Sequence, residues 1–291
     1  MSDISKVIIP IAGLASRLLP LSKVIDKGIL PIVDIPSIQY LIKEAKDSGI
    51  SEVIFVLSPN NKKVLDYVKP SPKIEKALKE SKKDEILEEM KQLDDLFAGI
   101  KFSSVIQKEP LGDGHAILQA AKLIKDEPVA LMFGDDIIDS EVSGIAQLAA
   151  VFKTCQKPVM GLFRLPAERL PAYGVPKVEK IASKIYKVKG IVEKPAPEDI
   201  PSDLAISGRY ILTPEVFHYL KKAKPGSKGE IILAEVINDA MIKEGKLIYG
   251  YEIEGRWLEC GDKLKWLKSN LYFSLNHPKY GQQLRDYLKN I

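Results

Sequence analysis

The chain has 291 residues, 45% hydrophobic and 28% charged, which is enough for one large α/β domain or two small ones around a sizeable core. A net charge of only +4, with Lys and Arg interspersed among Asp and Glu, argues against a nucleic-acid partner, and no apolar stretch approaches the roughly 20 residues that span a bilayer. Two cysteines and three histidines in no metal-type arrangement argue against a zinc site, and the polar start Met1–Lys6 has no secretory pattern, so a cytoplasmic protein is expected.

Lys6–Ile11 (KVIIPI) reads as a buried strand with Pro10 at its end, where a missing ladder donor does least harm. A loop, Ala12–Pro20, follows. A helix is expected at about Ile38–Ser48, stopped by Gly49, and then a strand at Glu52–Leu57. Pro59–Ala98 is rich in Lys and Glu, with Ile74, Leu78, Ile86, Met90 and Leu93 at helix-like intervals. It predicts one or two amphipathic helices inserted between strands, their charges forming a solvated face.

Further strands end at Val105-Ile106 and cover Pro128–Phe133 and Val159–Leu165, with helices at Gly114–Ile124 and Ile145–Thr154 between them. Gly174–Glu179 and Ile185–Glu193 alternate as a hairpin, and Leu204–Leu212 is another strand. Helices at Pro214–Ala223 and Glu230–Lys243 precede a strand at Leu247–Ile253, and Lys263–Ile291 looks helical. Strands alternating with helices imply right-handed βαβ units and a doubly covered, mostly parallel sheet. No Pro/Ser/Gly-rich linker divides the chain and no repeat is visible, so one α/β body over 1–262 with a C-terminal helical segment at 263–291 is expected.

Three local motifs carry charge suited to phosphates. The loop Ala12-Gly13-Leu14-Ala15-Ser16-Arg17 can offer backbone N–H groups and a guanidinium to an anion, although alone it fits a plain turn with an exposed Arg equally well. Lys23 and Lys27 follow closely and fit either a polyphosphate site or a pair of surface lysines. Asp135-Asp136 comes directly after a buried strand, at the carboxyl end where open α/β sheets place ligands, and alone it fits turn chemistry as well. A dinucleotide fold is not indicated, because Ala15 and Leu18 break the G-x-G-x-x-G fingerprint.

Taken together these segments resemble the G-x-G-T-R-L-x-P and P-K-x-x-L-P signatures of the sugar nucleotidyltransferases, in particular the bacterial-type UTP–glucose-1-phosphate uridylyltransferases. The similarity covers nearly the whole chain. It includes Ile35-Pro-Ser-Ile-Gln-Tyr40, Gln107-Lys-Glu-Pro-Leu-Gly112-Asp-Gly114-His115-Ala116, Gly134-Asp135-Asp136, Tyr173-Gly174-Val175, Val192-Glu193-Lys194-Pro195, Gly208-Arg209-Tyr210 and Gly229-Glu230-Ile231, in family order.

The resemblance implies a Rossmann-like nucleotidyltransferase fold: a mixed, mostly parallel sheet covered by helices on both faces, with a helical insertion and a C-terminal helical tail. It implies a nucleotide side at 1–140 and a sugar side at 141–262. It also implies transfer of a uridylyl group from UTP to glucose-1-phosphate, giving UDP-glucose and pyrophosphate, assisted by Mg²⁺. Arg17, Lys27, Asp135 and Lys194 would be catalytic. Ala12, Gly13, Gln107, Gly112, Gly114 and Asp136 would bind the nucleotide, with Gln107 on the uracil edge. Gly174, Glu193, Lys194 and Gly208 would bind the sugar phosphate, and Asp135 and Glu259 would hold the metal. A homo-oligomer, dimer or tetramer, is implied too.

The attacking phosphate oxygen is anionic at neutral pH, so such a site needs positioning and neutralising charge rather than a general base. His115 reads as a packed helix-start residue, and Trp257 and Trp266 as core or interface.

The sequence departs from the family pattern at Ala15 and Ser16 (usually Gly and Thr), Gly28 (often Glu), Asp113 (usually apolar), Ile232 and Glu235 (usually Gln and Asp) and Glu259 (usually Asp). These departures keep two alternatives open: a non-catalytic sugar-nucleotide-binding regulator, and a transferase for another sugar-1-phosphate or for dTTP.

Overall fold

The apolar run at the start forms β1 (Lys6–Pro10), buried from Val7 onward, with Pro10 as its last residue. A short ribbon of β2 (Pro31–Ile32) and β3 (Ile35–Pro36) leads into α1 (Ser37–Asp47). That helix stops before Gly49, whose φ of 77° glycine adopts without strain. The next strand, β4 (Glu52–Leu57), is buried throughout. The computed structural model describes residues 4–59, 61–226 and 229–290; Met1–Asp3 and Ile291, at the two ends of the expectations above, lie outside the described residues.

The charged excursion holds three helices rather than one or two: α2 (Lys63–Tyr67), α3 (Pro72–Glu80) and α4 (Asp84–Phe97). Pro70 and Pro72 make the first break, since proline suits only the first turn of a helix, and Lys82 at φ 54° makes the second.

The chain continues through β5 (Lys101–Ile106), α5 (Asp113–Ala120), β6 (Val129–Met132), β7 (Asp136–Asp139), α6 (Gly144–Cys155) and β8 (Val159–Arg164). The hairpin β9 (Gly174–Ala182) and β10 (Ile185–Glu193) precedes β11 (Leu204–Leu212) and α7 (Pro214–Lys222). The following helix begins later than its periodicity suggests, as α8 (Leu233–Glu235) running on as a π-helix, Val236–Ile242. Residue 231 cannot join it: Ile231 N–H donates to Leu111 O, and Ile231 O accepts from Gly114 N–H, both at 2.8 Å. Then come β12 (Tyr249–Glu252), β13 (Arg256–Glu259), α9 (Lys263–Asn276) and α10 (Gly281–Leu288), the last two broken at His277-Pro278. The C-terminal helices are tied to the body: Trp266 Nε1 donates to Pro31 O at 2.9 Å, and Val33 N–H to Asn270 Oδ1 at 2.8 Å.

Nine strands form one sheet in the order β5-β4-β1-β6-β11-β8-β12-β10-β9. β5, β4, β1, β6, β8, β12 and β9 run one way and only β11 and β10 run against them, so the mixed, mostly parallel sheet is as expected. Successive side chains of a strand face opposite sides, so β1 feeds two cores. Val7 and Ile9 meet Leu41, Ile42 and Leu148 of α1 and α6, while Ile8 meets Ile117, Val216 and Leu220 of α5 and α7. Helices therefore cover both faces. Among the described residues no helix is long and apolar enough to cross a membrane.

Candidate active site

The carboxyl ends of β1 and β6 open into a cleft of about 460 Å³. After β1 the chain enters the loop that holds Arg17. Ala15 adopts the left-handed conformation there, φ 49° and ψ 42°, despite its methyl group, at a cost of ~1 kcal/mol. The buried Leu18 pins the loop and leaves Arg17 facing the cleft. Lys27 starts a short turn whose carbonyl accepts the Ser37 hydroxyl at 3.1 Å. The departure at Gly28 has a packing cause: a Cβ there would meet Val64 at 3.1 Å and Ile11 at 3.3 Å, so no larger side chain fits comfortably.

Lys27 Nζ lies 2.9 Å from Asp135 Oδ1 in the turn between β6 and β7. Burial raises the Asp135 pKa, but Lys27 beside it, with Arg17 adding, outweighs burial and holds it below the usual carboxylate range. Arg17 and Asp135 flank the backbone of Gly261, where a Cβ would come within 2.9 Å of Asp135 Oδ2 and 3.2 Å of Arg17 Nη2. Asp136 behaves oppositely: burial and then the Asp135 charge push it upward, and its Oδ1 accepts Trp257 Nε1–H at 2.8 Å.

A buried ion pair supports that turn. The Arg209 guanidinium is fully buried on β11, where the pairing with β8 shifts register between Ile206 and Tyr210. Its Nε and Nη2 donate to both oxygens of Glu44 on α1 at 2.7–3.1 Å, and Nη2 also donates to Asp136 O at 2.7 Å. Glu44 Oε1 in turn accepts Ile145 N–H at the start of α6, at 3.2 Å.

Glu259 lies in the same cleft but is held by cations. Oε1 accepts Lys265 Nζ at 2.6 Å, while Oε2 accepts the Tyr173 hydroxyl at 2.6 Å and Arg169 at 3.2 Å. Among the described residues no three His, Cys, Asp or Glu side chains converge as a metal cage. The oxygen donors of Asp135 and its neighbours suit a hard cation such as Mg²⁺, provided most of its other ligands come from phosphate and water.

The other wall is acidic. Glu193 ends β10 and Lys194 follows it at φ 49°, its N–H donating to Tyr173 O at 2.9 Å. Gly174 leaves no room for a side chain: a Cβ there would sit 2.9 Å from Glu193 Oε2. Asp113 lines this wall with one oxygen accepting Leu233 N–H at 2.8 Å. Burial first, opposed by backbone N–H groups and reinforced by Glu193 and Glu230, pushes its pKa to about 6.

That shift carries a stability prediction. An unfolded Asp ionises near 3.9, so between about pH 4 and pH 6 the folded chain holds a proton that the unfolded chain has lost, and stability falls as pH rises through that window. Asp113→Asn keeps an acceptor for Leu233 and removes the charge. It is expected to raise stability by ~1–3 kcal/mol at pH 7.5, with the gain shrinking at pH 4.5. Paired denaturant melts at the two pH values check this; an equal gain at both would refute the ionisation account.

The cleft thus brings together Arg17, Lys27, Asp135, Asp136, Gly174, Glu193, Lys194, Gly208 and Glu259. Ala12, Gly13, Gln107, Gly112 and Gly114 stand outside its lining. The close approach that Gly112 and Gly114 permit is to the Ile231 backbone, and Gly112 sits at φ 97°. Gln107 is buried; its Nε2 donates to Gly112 O at 3.0 Å and lies 3.0 Å from His115 Nδ1. The Gln119 amide lies 3.0 Å from His115 Nε2. An amide nitrogen only donates, so His115 Nδ1 accepts from Gln107 Nε2, and Gln107 Oε1 is left to accept.

Sequence reading did not place Asp113, Tyr173, Tyr210 or Lys265 among the site residues, and it took Trp257 only as packing. Trp257 does pack, on Phe163 and Tyr173, but it also binds Asp136. A charged residue between two glycines was the one local signal for Asp113; Lys265 reaches the site only through the fold.

The model of the family described as nucleotidyl transferase matches residues 6–272. A UTP–glucose-1-phosphate uridylyltransferase of Bacillus subtilis (strain 168) is 37% identical over 291 residues, covering 100% of this chain and 98% of the relative. A solved UDP-glucose pyrophosphorylase complexed with UDP-glucose superposes with a TM-score of 0.82 at 33% identity, over 93% of this chain and 98% of that one. A UTP-bound UGPase from Acinetobacter baumannii superposes with a TM-score of 0.90 at 28% identity, over 99% of both chains.

Proposed function

The chain belongs to the nucleotidyl transferase family, and from that premise we propose that it joins UTP to glucose-1-phosphate, forming UDP-glucose and releasing pyrophosphate. The observation that carries this reading is the Lys27–Asp135 pair at 2.9 Å beside Arg17, at the carboxyl ends of parallel strands. Charge is segregated along the cleft: Arg17 and Lys27 offer cations to a triphosphate, while Glu193 offers acceptors to sugar hydroxyls.

In the reaction an oxygen of the sugar phosphate attacks the α-phosphorus, and the bond to the departing pyrophosphate breaks. Arg17 and Lys27 bind the triphosphate and neutralise the leaving group; Lys194 binds and orients the sugar phosphate. Mg²⁺, held by Asp135 when bound, would supply further neutralisation of the phosphates. Gln107 Oε1 suits the N3–H of uracil. Thymine has the same N3–H, so Gln107 alone does not separate UTP from dTTP.

Two free cysteines, Cys155 and Cys260, suit a cytoplasmic setting. Exposed Leu264, Leu267 and Leu271, at one-turn spacings on α9, suit a homo-oligomer, dimer or tetramer. One observation favours the second reading, a regulator that binds the nucleotide sugar without turnover: the carboxylate of Glu259 is already engaged by Lys265, Arg169 and Tyr173.

The test is pyrophosphate release from UTP, glucose-1-phosphate and Mg²⁺, run beside dTTP and a panel of sugar-1-phosphates. Turnover with UTP and glucose-1-phosphate is expected. Calorimetric binding of UDP-glucose with no turnover on the whole panel would install the regulatory reading instead.

A further inference from the structure

The acidic wall of the cleft contains a group that the mechanism above leaves without a task. Asp113 sits at the first position of α5, partly exposed in the same lining as Glu193, Tyr210, Ile232 and Ala234. Its carboxylate is fixed in direction, because Oδ1 accepts the Leu233 N–H at the start of α8. A carboxylate has about four lone-pair sites, so acceptor capacity remains for something in the cleft. The charges that bear on it most are Glu193 and Glu230, both negative.

Tyr210 lines the same cleft as Asp113, Glu193 and Asp136. The triphosphate belongs with Arg17 and Lys27 near Asp135 and the sugar phosphate with Lys194, which leaves Asp113 and Glu193 to the uncharged, hydroxyl-bearing part of the substrate. Around them Ile232 and Ala234 bring apolar side chains, and Asp113 and Glu193 are the carboxylates at this wall.

We propose that Asp113 determines sugar specificity by accepting a hydrogen bond from one hydroxyl of the sugar-1-phosphate, so that the chain selects sugars presenting a donor at that point and rejects those lacking it. This rests on the nucleotidyl-transfer reading of the cleft. A negatively charged acceptor left facing apolar substrate surface loses its partner on burial, which is why a missing hydroxyl is penalised more than a missing methylene. It also accounts for a carboxylate kept where ionisation opposes folding at neutral pH.

The experiment measures kcat/KM with UTP for glucose-1-phosphate and its 2-, 3-, 4- and 6-deoxy analogues, using the unmodified protein, Asp113→Asn and Asp113→Leu. The unmodified protein is expected to lose about 10- to 100-fold with one deoxy analogue, the penalty of an unmet charged acceptor. In Asp113→Leu that selective penalty should fall to within about threefold, while Asp113→Asn, which still accepts, keeps part of it. A merely structural role would lower all the sugars alike and preserve the ratios, which would overturn the proposal. So would a selective loss with 2′-deoxy-UTP, since Asp113 would then read the ribose. Should Asp113→Leu not fold, the Asp113→Asn ratios decide. Absence of turnover with every sugar would defeat the underlying reading of the cleft; calorimetric affinities of the same sugar phosphates for the same variants would then decide on Asp113.

Discussion

Asp135→Asn lowers kcat for UTP and glucose-1-phosphate by on the order of 10³-fold, or ~4 kcal/mol, with the fold retained. The expectation follows from what the side chain does. Burial opposes its ionisation, yet Lys27 at 2.9 Å and Arg17 beyond keep it a carboxylate. Asn keeps the shape and one acceptor but removes the charge that holds Lys27 and would hold a divalent cation. Lys27→Ala is expected to show a comparable loss. The double variant should be only slightly worse than either single one, because the two side chains act as a unit. Pyrophosphate release at saturating substrates measures all three. Retention of more than a tenth of the parent rate by Asp135→Asn would remove the pair from the chemistry.

Glu44→Ala produces the largest change in stability, about 3–5 kcal/mol, because it strands a fully buried guanidinium. For a chain of this size the melting temperature falls by roughly 10 °C. Glu44 touches no part of the cleft chemistry directly. It holds Arg209, which donates to Asp136 O, and it also accepts the Ile145 N–H of α6, so three elements lose a common anchor. Exchanging both partners, Glu44→Met with Arg209→Met, should recover most of the loss, since the desolvation penalty of the charges disappears with them. Denaturant midpoints of the single and double variants decide this. A double variant as unstable as the single one would show that geometry, not charge burial, is what the pair provides.

The strands and most helices were legible because burial forces a period on the sequence. Glu52–Leu57 is apolar enough to be buried on both faces, and it is. Boundaries were missed where long-range bonds override local preference. Ile231 reads as helical, but its N–H and carbonyl are taken by Leu111 and Gly114. The excursion after Pro59 reads as one or two helices because its apolar spacing survives across the breaks that Pro70, Pro72 and a left-handed Lys82 create. Residues of the cleft stand out in the sequence where charge follows a buried strand, as at Arg17 after β1 and Asp135 after β6. The site was illegible where a residue arrives from a distant element: Lys265 on α9 meets Glu259 and Tyr173 with nothing in its neighbours to announce it. Gly112 and Gly114 stand out in the sequence, but their contact with Ile231 has no local signature.

The π-helix after α8 has a consequence for how the molecule breathes. Asn238 lies on it and accepts Ile191 N–H at 2.8 Å, within the strand that ends at Glu193. Asp113 meanwhile holds the Leu233 N–H at the head of the same helical segment. The amides of Leu233 and Ile191 are therefore protected by side chains rather than by a ladder, and through a single helical segment. Local opening of that segment would expose both at once. Their deuterium uptake should then rise and fall together as one cooperative unit, separately from the slower β1–β4 amides at the centre of the sheet.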